Sequence, residues 1–309
     1  MTETVAHAWH RGRVVEVIGA RLGLGGRCLG TRGGPDAMRM SGLAAALGRS
    51  GRSVRDLGDI VARDVPRAPG RDPGALLSAE VERYSLELRA AMEAVLDRGA
   101  LPCILGGDHS LGAATQAAVG RFARRRGWAP PGIIWIDAHT DSNTMETTPS
   151  GNLHGMILAA VHGLDVPTFR RVVEGGLRDP QRTVFLGARD IDEGEREIIA
   201  RLGCTVIGPD RIAELGAAAA AREALRIAGG ADGRCSVSFD LDSLDPSIAP
   251  GVDCHVPGGL DWASAETILR ICGEAPGLVA VEVVEVNPSA DPDGRTARLA
   301  VEAAALLCR

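Results

Sequence analysis

The chain contains no lysine: all 34 basic residues are arginine, set against 40 acidic residues in a total of 309. This absence excludes Schiff-base chemistry and phosphate-binding loops that end in Gly-Lys, since both need a lysine amine. The cysteines, at 28, 103, 204, 235, 254, 272 and 308, are odd in number and form no CxxC pair. Neither a disulfide framework nor a zinc finger is indicated, and a reduced cytosol fits. No apolar stretch approaches the ~20 residues of a spanning helix, and the N-terminus MTETVAHAWHRGR lacks the apolar core of a signal peptide. Basic residues form no long block beyond RRR at 124–126, and the net charge is −6. A nucleic-acid surface therefore has little support. The expectation is a cytoplasmic protein whose partner is a small polar molecule, with neither nucleic acid nor membrane.

What is present is a globular composition, 45% hydrophobic and 24% charged. Its 40 glycines have no fixed period and sit between apolar runs, as tight turns require. Short β-rich runs recur: VVEVIG (14–19), LPCILG (101–106), GIIWID (132–137), TVFLG (183–187), CSVSFD (235–240) and LVAVEVVEV (278–286). Between them lie segments suited to helices, at 76–98, 193–202, 217–228, 263–272 and 295–307. This alternation predicts a parallel sheet flanked by helices, in one α/β domain spanning 1–309. The irregular stretch DVPRAPGRD (64–72) reads as a surface loop.

In open parallel sheets the ligand crevice lies outside the carboxyl ends of the strands. Three of the apolar runs end there in metal-type residues. GIIWI is followed by Asp137, Ala138, His139, Thr140 and Asp141; CSVSF by Asp240, Leu241 and Asp242; and LPCIL by Gly106, Gly107, Asp108, His109 and Ser110. In an extended chain, side chains at i, i+2 and i+4 share a face, so Asp137, His139 and Asp141 are expected to point together, as are Asp240 and Asp242. Clustered carboxylates without cations raise one another's pKa. Divalent metal relieves that, and four acids with two histidines suffice for two ions sharing bridging carboxylates. Oxygen-rich ligands with imidazole and no thiolate suit manganese, with iron, cobalt, nickel or zinc as options. The bland reading of any one aspartate is a cap on the following turn.

The segments RGGPDAMRMSGL, DLGDI, GGDHS, DAHTDSN, PSGNLHGM, ARDIDEGE, SFDLDSLDP and EVNP, in this order, resemble the arginase family of ureohydrolases, over residues 14–307. The resemblance implies a three-layer α/β/α fold around an eight-stranded parallel sheet, two Mn²⁺ per subunit, and a homotrimer or homohexamer. It implies that His109, Asp137, Asp141 and Asp240 bind one ion, that His139 and Asp242 complete the other, and that Asp137 and Asp240 bridge both. By the same likeness His154 shuttles protons and Glu285 pairs with the substrate guanidinium, and these two with Asp141 carry the chemistry. Asn143 and Ser150 match the family's α-carboxylate contacts. Asp192 matches its α-amino contact, with Glu195 helping through water.

Guanidinium is a resonance-stabilised cation, so its hydrolysis needs a strong nucleophile at neutral pH, which two metals supply by acidifying water. Collapse of the tetrahedral intermediate then needs a general acid, a role that suits His154. The contacts for a zwitterion favour L-arginine over agmatine, giving L-ornithine and urea. One segment departs from the family pattern PGxGTPxxGGL. Asp253, Cys254 and His255 stand where Gly, Thr and Pro are common. Three readings of this departure stand: drift in an intact enzyme, a changed substrate such as hydroxyarginine or another guanidino compound, and a catalytically silent arginine-binding protein. Adjacent residues on an extended chain point apart, so Cys254 and His255 are not expected to form a nucleophilic dyad.

Overall fold

The computed structural model describes residues 12–65 and 73–309. Eight strands form one sheet in the order β2-β1-β3-β8-β7-β4-β5-β6. They are β1 (Val15–Arg21), β2 (Val54–Val61), β3 (Leu101–Gly106), β4 (Gly132–Ile136), β5 (Thr183–Leu186), β6 (Thr205–Ile207), β7 (Cys235–Asp240) and β8 (Leu278–Val284). Every pairing is parallel. The α-helices are α1 (Gly34–Met40), α2 (Leu43–Gly48), α3 (Pro73–Asp97), α4 (Gly112–Arg125), α5 (Ile157–Val161), α6 (Arg170–Val173), α7 (Glu193–Leu202), α8 (Pro209–Leu215), α9 (Ala217–Gly229), α10 (Trp262–Gly273) and α11 (Arg295–Leu307). None of the described helices is long and apolar enough to cross a membrane.

Two apolar cores, one on each face, explain why the strands read as unbroken hydrophobic runs. In β4, Ile134 and Ile136 join the core shared with α1, α2, α9, α10 and α11, whereas Ile133 and Trp135 join the core shared with α3, α4 and α5. The same period of two divides Leu101, Cys103 and Leu105 of β3 from Ile104. On α3, Val81, Tyr84, Leu88, Met92 and Val95 recur at three- and four-residue steps, the stripe one helix face buries.

All six strands expected from apolar runs are present, and two more complete the sheet. β2, VRDLGDIV, is an edge strand with an exposed, charged surface. Its Asp56 and Asp59 hold Arg39 at 2.8 and 2.5 Å, which blunts an otherwise open edge. β6 is only three residues long. Of the loop expected at 64–72, residues 66–72 lie outside the described residues, and Asp64 and Val65 carry no regular structure.

Beneath the sheet, Arg178 is 4% exposed and donates to Pro131 O, Gly132 O, Gln116 Oε1 and Ser236 Oγ. Burial pulls its guanidinium down to about 9. Arg178→Ala leaves several buried acceptors unpaired and should lower stability by about 3 kcal/mol. The readout is a lower urea midpoint at unchanged slope; a midpoint equal to the parent's would show the network to be dispensable.

Candidate active site

The four central strands, β3, β8, β7 and β4, are neighbours in the sheet, and their carboxyl ends deliver the motif residues to one place. After β3 the chain turns through Gly107, where a Cβ would lie 2.1 Å from Leu22 O; only glycine permits that approach. His109 follows, its ring stacked on Trp135 at 4.1 Å and its Nε2 2.8 Å from Ser238 Oγ. That leaves Nδ1 facing three carboxylates: Asp137 at 3.0 Å, Asp141 at 3.2 Å and Asp240 at 3.0 Å. His139 Nδ1 lies 3.3 Å from Asp137 and 3.1 Å from Asp242. All six residues expected to hold metal therefore converge.

The reason for convergence differs from the extended chain expected. β4 ends at Ile136, and 137–139 form a bend. In it Asp137 Oδ1 accepts from the His139 N–H at 2.7 Å. Likewise Leu241–Ser243 is a single 3₁₀ turn capped by Asp240, whose Oδ1 accepts from the Asp242 N–H at 2.8 Å. Oδ1 of each carboxylate thus caps its own turn, while Oδ2 of Asp137 and of Asp240 faces His109. Asp141 (φ 47°) and Glu285 (φ 65°) are the non-glycine residues with positive φ among those described, a strained backbone of the kind that clusters at functional sites.

Burial opposes charge throughout this cage. For His109 burial favours the neutral ring, yet its bonds to Asp137, Asp141 and Asp240 outweigh that and raise it well above the usual range. Asp240 is raised well above the carboxylate range by burial first and then by Asp242 and Asp137. Asp137 goes the other way: burial raises it, but His109 and His139 together bring it below the usual range. The imidazoles are here standing in for cations. His109 Nδ1 and Asp137 Oδ2 are buried without a well-aligned hydrogen bond, and both residues belong, with Asp141, to a group whose donor atoms lie within 4.8 Å of one another. The residues fit divalent metal.

At the cage is a pocket of about 160 Å³. Glu285 and His154 are among the residues that line it. Glu285 Oε1 accepts from the His109 N–H at 2.8 Å and lies 3.2 Å from His154 Nδ1. Its Oε2 is buried without a partner among the described residues. Burial lifts Glu285 to about 7. Burial would lower His154, but Glu285 pushes it up to about 9. Asn143, Ser150, Asp192 and Glu195 line the same pocket. Asn143 Nδ2 donates to Asp192 at 2.8 Å, and the exposed Ser150 accepts from the Asn152 N–H through its Oγ. Glu195 has both oxygens engaged within the protein, with Thr140 Oγ1 and the Ser142 N–H on one and the Asp192 N–H on the other. It positions Asp192 at the start of α7.

Arg27 at the pocket wall was not anticipated, nor was the part played by Asp108. The Asp108 carboxylate accepts from the Gly25 and Ser110 N–H groups, both at 2.9 Å, and Gly25 O accepts from His154 N. The glycine-rich stretch 22–26 was the available signal, since a Cβ at Gly25 would sit 2.4 Å from Ser110 Oγ. In the departing loop, Cys254 lines the pocket while the exposed His255 sets Nε2 2.8 Å from Pro250 O. The two point apart, and Asp253 accepts from Asn287 Nδ2 at 2.6 Å.

Comparison with known proteins agrees with this geometry. An arginase of Bacillus caldovelox is 36% identical over 291 residues, covering 93% of this chain and 95% of its own. The solved native structure of Bacillus caldovelox arginase superposes with a TM-score of 0.88 at 35% identity, covering 96% of this chain and 99% of that one. Entamoeba histolytica arginase, solved in complex with L-ornithine, gives 0.86 at 28% identity, with 96% and 98% covered. The model described as Arginase family matches residues 14–308. The chain belongs to the arginase family, whose members are hydrolases of C–N bonds in amidines and guanidines.

Proposed function

We propose that the protein hydrolyses L-arginine to L-ornithine and urea in a manganese-dependent reaction. The observation that carries this reading is the buried, unpartnered Oε2 of Glu285 beside a cage of four aspartates and two histidines. His109, Asp137, Asp141 and Asp240 would hold one ion; His139 and Asp242 would hold the other, with Asp137 and Asp240 shared. When bound, two divalent ions offset the charge of this cage and lower the pKa of water, so that a nucleophile exists at neutral pH. Oxygen and imidazole donors suit manganese.

The chain's own residues do the rest. Glu285 receives the guanidinium, as a buried carboxylate does when offered a paired cation. Hydrolysis places the water oxygen on the guanidino carbon, and the C–N bond breaks with its electron pair going to ornithine Nδ. His154, protonated at neutral pH through its contact with Glu285, delivers the proton that the departing amine needs. At the far end Asp192 accepts from the α-ammonium, while the free N–H of Asn143 and the hydroxyl of Ser150 donate to the α-carboxylate. Glu195 keeps Asp192 in place.

Agmatine lacks the carboxylate. Its kcat/KM for urea release should be lower than that of arginine by more than about a hundredfold, the size of penalty a site incurs when built hydrogen bonds go unmade. A preference for agmatine would refute the amino-acid end of this assignment. A second reading, a modified guanidino amino acid such as hydroxyarginine, is favoured by one observation: Cys254 stands in the pocket where the family pattern has threonine. Release of the amine product decides between them: ornithine from arginine with urea, ornithine from hydroxyarginine with hydroxyurea, and aminobutyrate from guanidinobutyrate with urea.

A further inference from the structure

The three departing residues of the loop do different jobs. Asp253 is fixed by Asn287 Nδ2 at 2.6 Å and by the Cys28 thiol at 3.1 Å. His255 is fixed by its contact with Pro250 O at 2.8 Å. Both hold the loop from outside the pocket, and between them Cys254 is turned inward. Its surroundings are unlike those of Cys103, Cys235 and Cys272, which are fully buried in an apolar core. Cys254 is half-buried, and its Sγ, a His139 ring nitrogen and an Asp242 oxygen all lie within 4.8 Å of one another. Tetrahedral ligand atoms ~2.0–2.3 Å from one ion stand about 3.3–3.8 Å apart. The three donors are therefore close enough for small side-chain rotations to bring them into one coordination sphere. That a cation belongs in the cage is indicated independently by the buried Asp137 Oδ2 and His109 Nδ1, which face each other at 3.0 Å without a well-aligned hydrogen bond to any described residue.

We propose that Cys254 is an additional thiolate ligand of the His139–Asp242 metal position, which raises the affinity of that position for zinc, cobalt or iron(II) relative to manganese above that of an oxygen-and-imidazole set, while the His109 position keeps its preference for manganese. This rests on the dinuclear reading above. As the metal–sulfur bond forms, the S–H bond breaks and the proton goes to solvent, so binding at this position releases one proton more than a threonine would allow. Thiolate is the soft donor of the set, and softness is what separates zinc-like ions from manganese once geometry is fixed.

The test uses the full chain, stripped with a chelator and reloaded with cobalt(II), with metal content measured alongside the absorption spectrum. About two cobalt ions per subunit and a near-ultraviolet sulfur-to-cobalt charge-transfer band are expected. The band should vanish in Cys254→Ser and persist in Cys28→Ser, the other thiol at this loop. Removing even an outer partner of a ligand costs ~10–100-fold in metal affinity. The zinc-over-manganese preference of Cys254→Ser, measured by competitive dialysis, should therefore fall by at least about tenfold. Two cobalt ions per subunit with no band in the parent protein would overturn the thiolate assignment and leave the dinuclear site standing. About one ion per subunit or fewer would overturn the dinuclear reading itself, and this inference with it. If Cys254→Ser fails to fold, Cys254→Thr, which restores the residue of the family pattern, makes the same comparison.

Discussion

Alanine in place of Asp240 should leave the protein with about one divalent ion per subunit or fewer, and lower urea release from arginine by on the order of 10³-fold or more, equivalent to about 4 kcal/mol of barrier. Asp240 is the last residue of β7, with Oδ2 3.0 Å from His109 Nδ1 and Oδ1 on the Asp242 N–H. The substitution removes a carboxylate proposed to serve both ions, and also loosens the turn that carries Asp242. Asp240→Asn separates these effects, because the amide oxygen still caps the turn while the negative charge is gone. Both variants should fail in metal content, with the asparagine form closer to the parent in thermal stability. Asp137→Ala should behave like Asp240→Ala, since Asp137 reaches both His109 and His139. Full occupancy and normal turnover in all three would remove these residues from the metal site.

His154→Asn should lower kcat by ~10²–10⁴-fold, the usual worth of a positioned general acid, at unchanged metal content. Asparagine can still donate to Glu285 but cannot carry a mobile proton. The sign of the pH dependence follows from the raised pKa. Burial works against the imidazolium but Glu285 outweighs it, so the acid form persists up to about 9. The advantage of the parent over the variant should therefore be full well below pH 9 and shrink as pH rises through it. A constant ratio across that range would mean that His154 positions rather than protonates.

Legibility followed burial. The strands covered on both faces appear in the sequence as apolar runs, so β1, β3, β4, β5, β7 and β8 could be read directly. β2 could not, because an edge strand keeps one side in water and VRDLGDIV looks like a loop. β6 is too short for any periodicity to register. The metal-type side chains were legible because each cluster directly follows a readable strand. How they converge was not, since a strand that ends one residue early replaces alternation with a capped bend at Asp137. Glu195 shows another limit. It lines the pocket, but nothing in ARDIDEGE reveals that its carboxylate also braces Asp192 and Thr140. Arg27 escaped notice because nothing local distinguishes a pocket-lining arginine from a surface one in a chain whose cations are all arginine.

The division of labour between the two oxygens of Asp137 and of Asp240 has a thermodynamic consequence. With one oxygen tied to its own turn, each carboxylate is oriented by the backbone, so gathering the donors is part of folding and not part of ion capture. Ion capture would then be governed by competition among ions, in contrast to small zinc domains, where binding free energy is folding free energy. The same orientation keeps like charges close when no ion is bound, and an ion that relieved them would bind the native state far better than the unfolded chain. Mass action would turn this into resistance to heat. Each tenfold rise in free ion above its Kd would add about 1.4 kcal/mol per site, so the melting temperature would act as a gauge of the surrounding metal concentration.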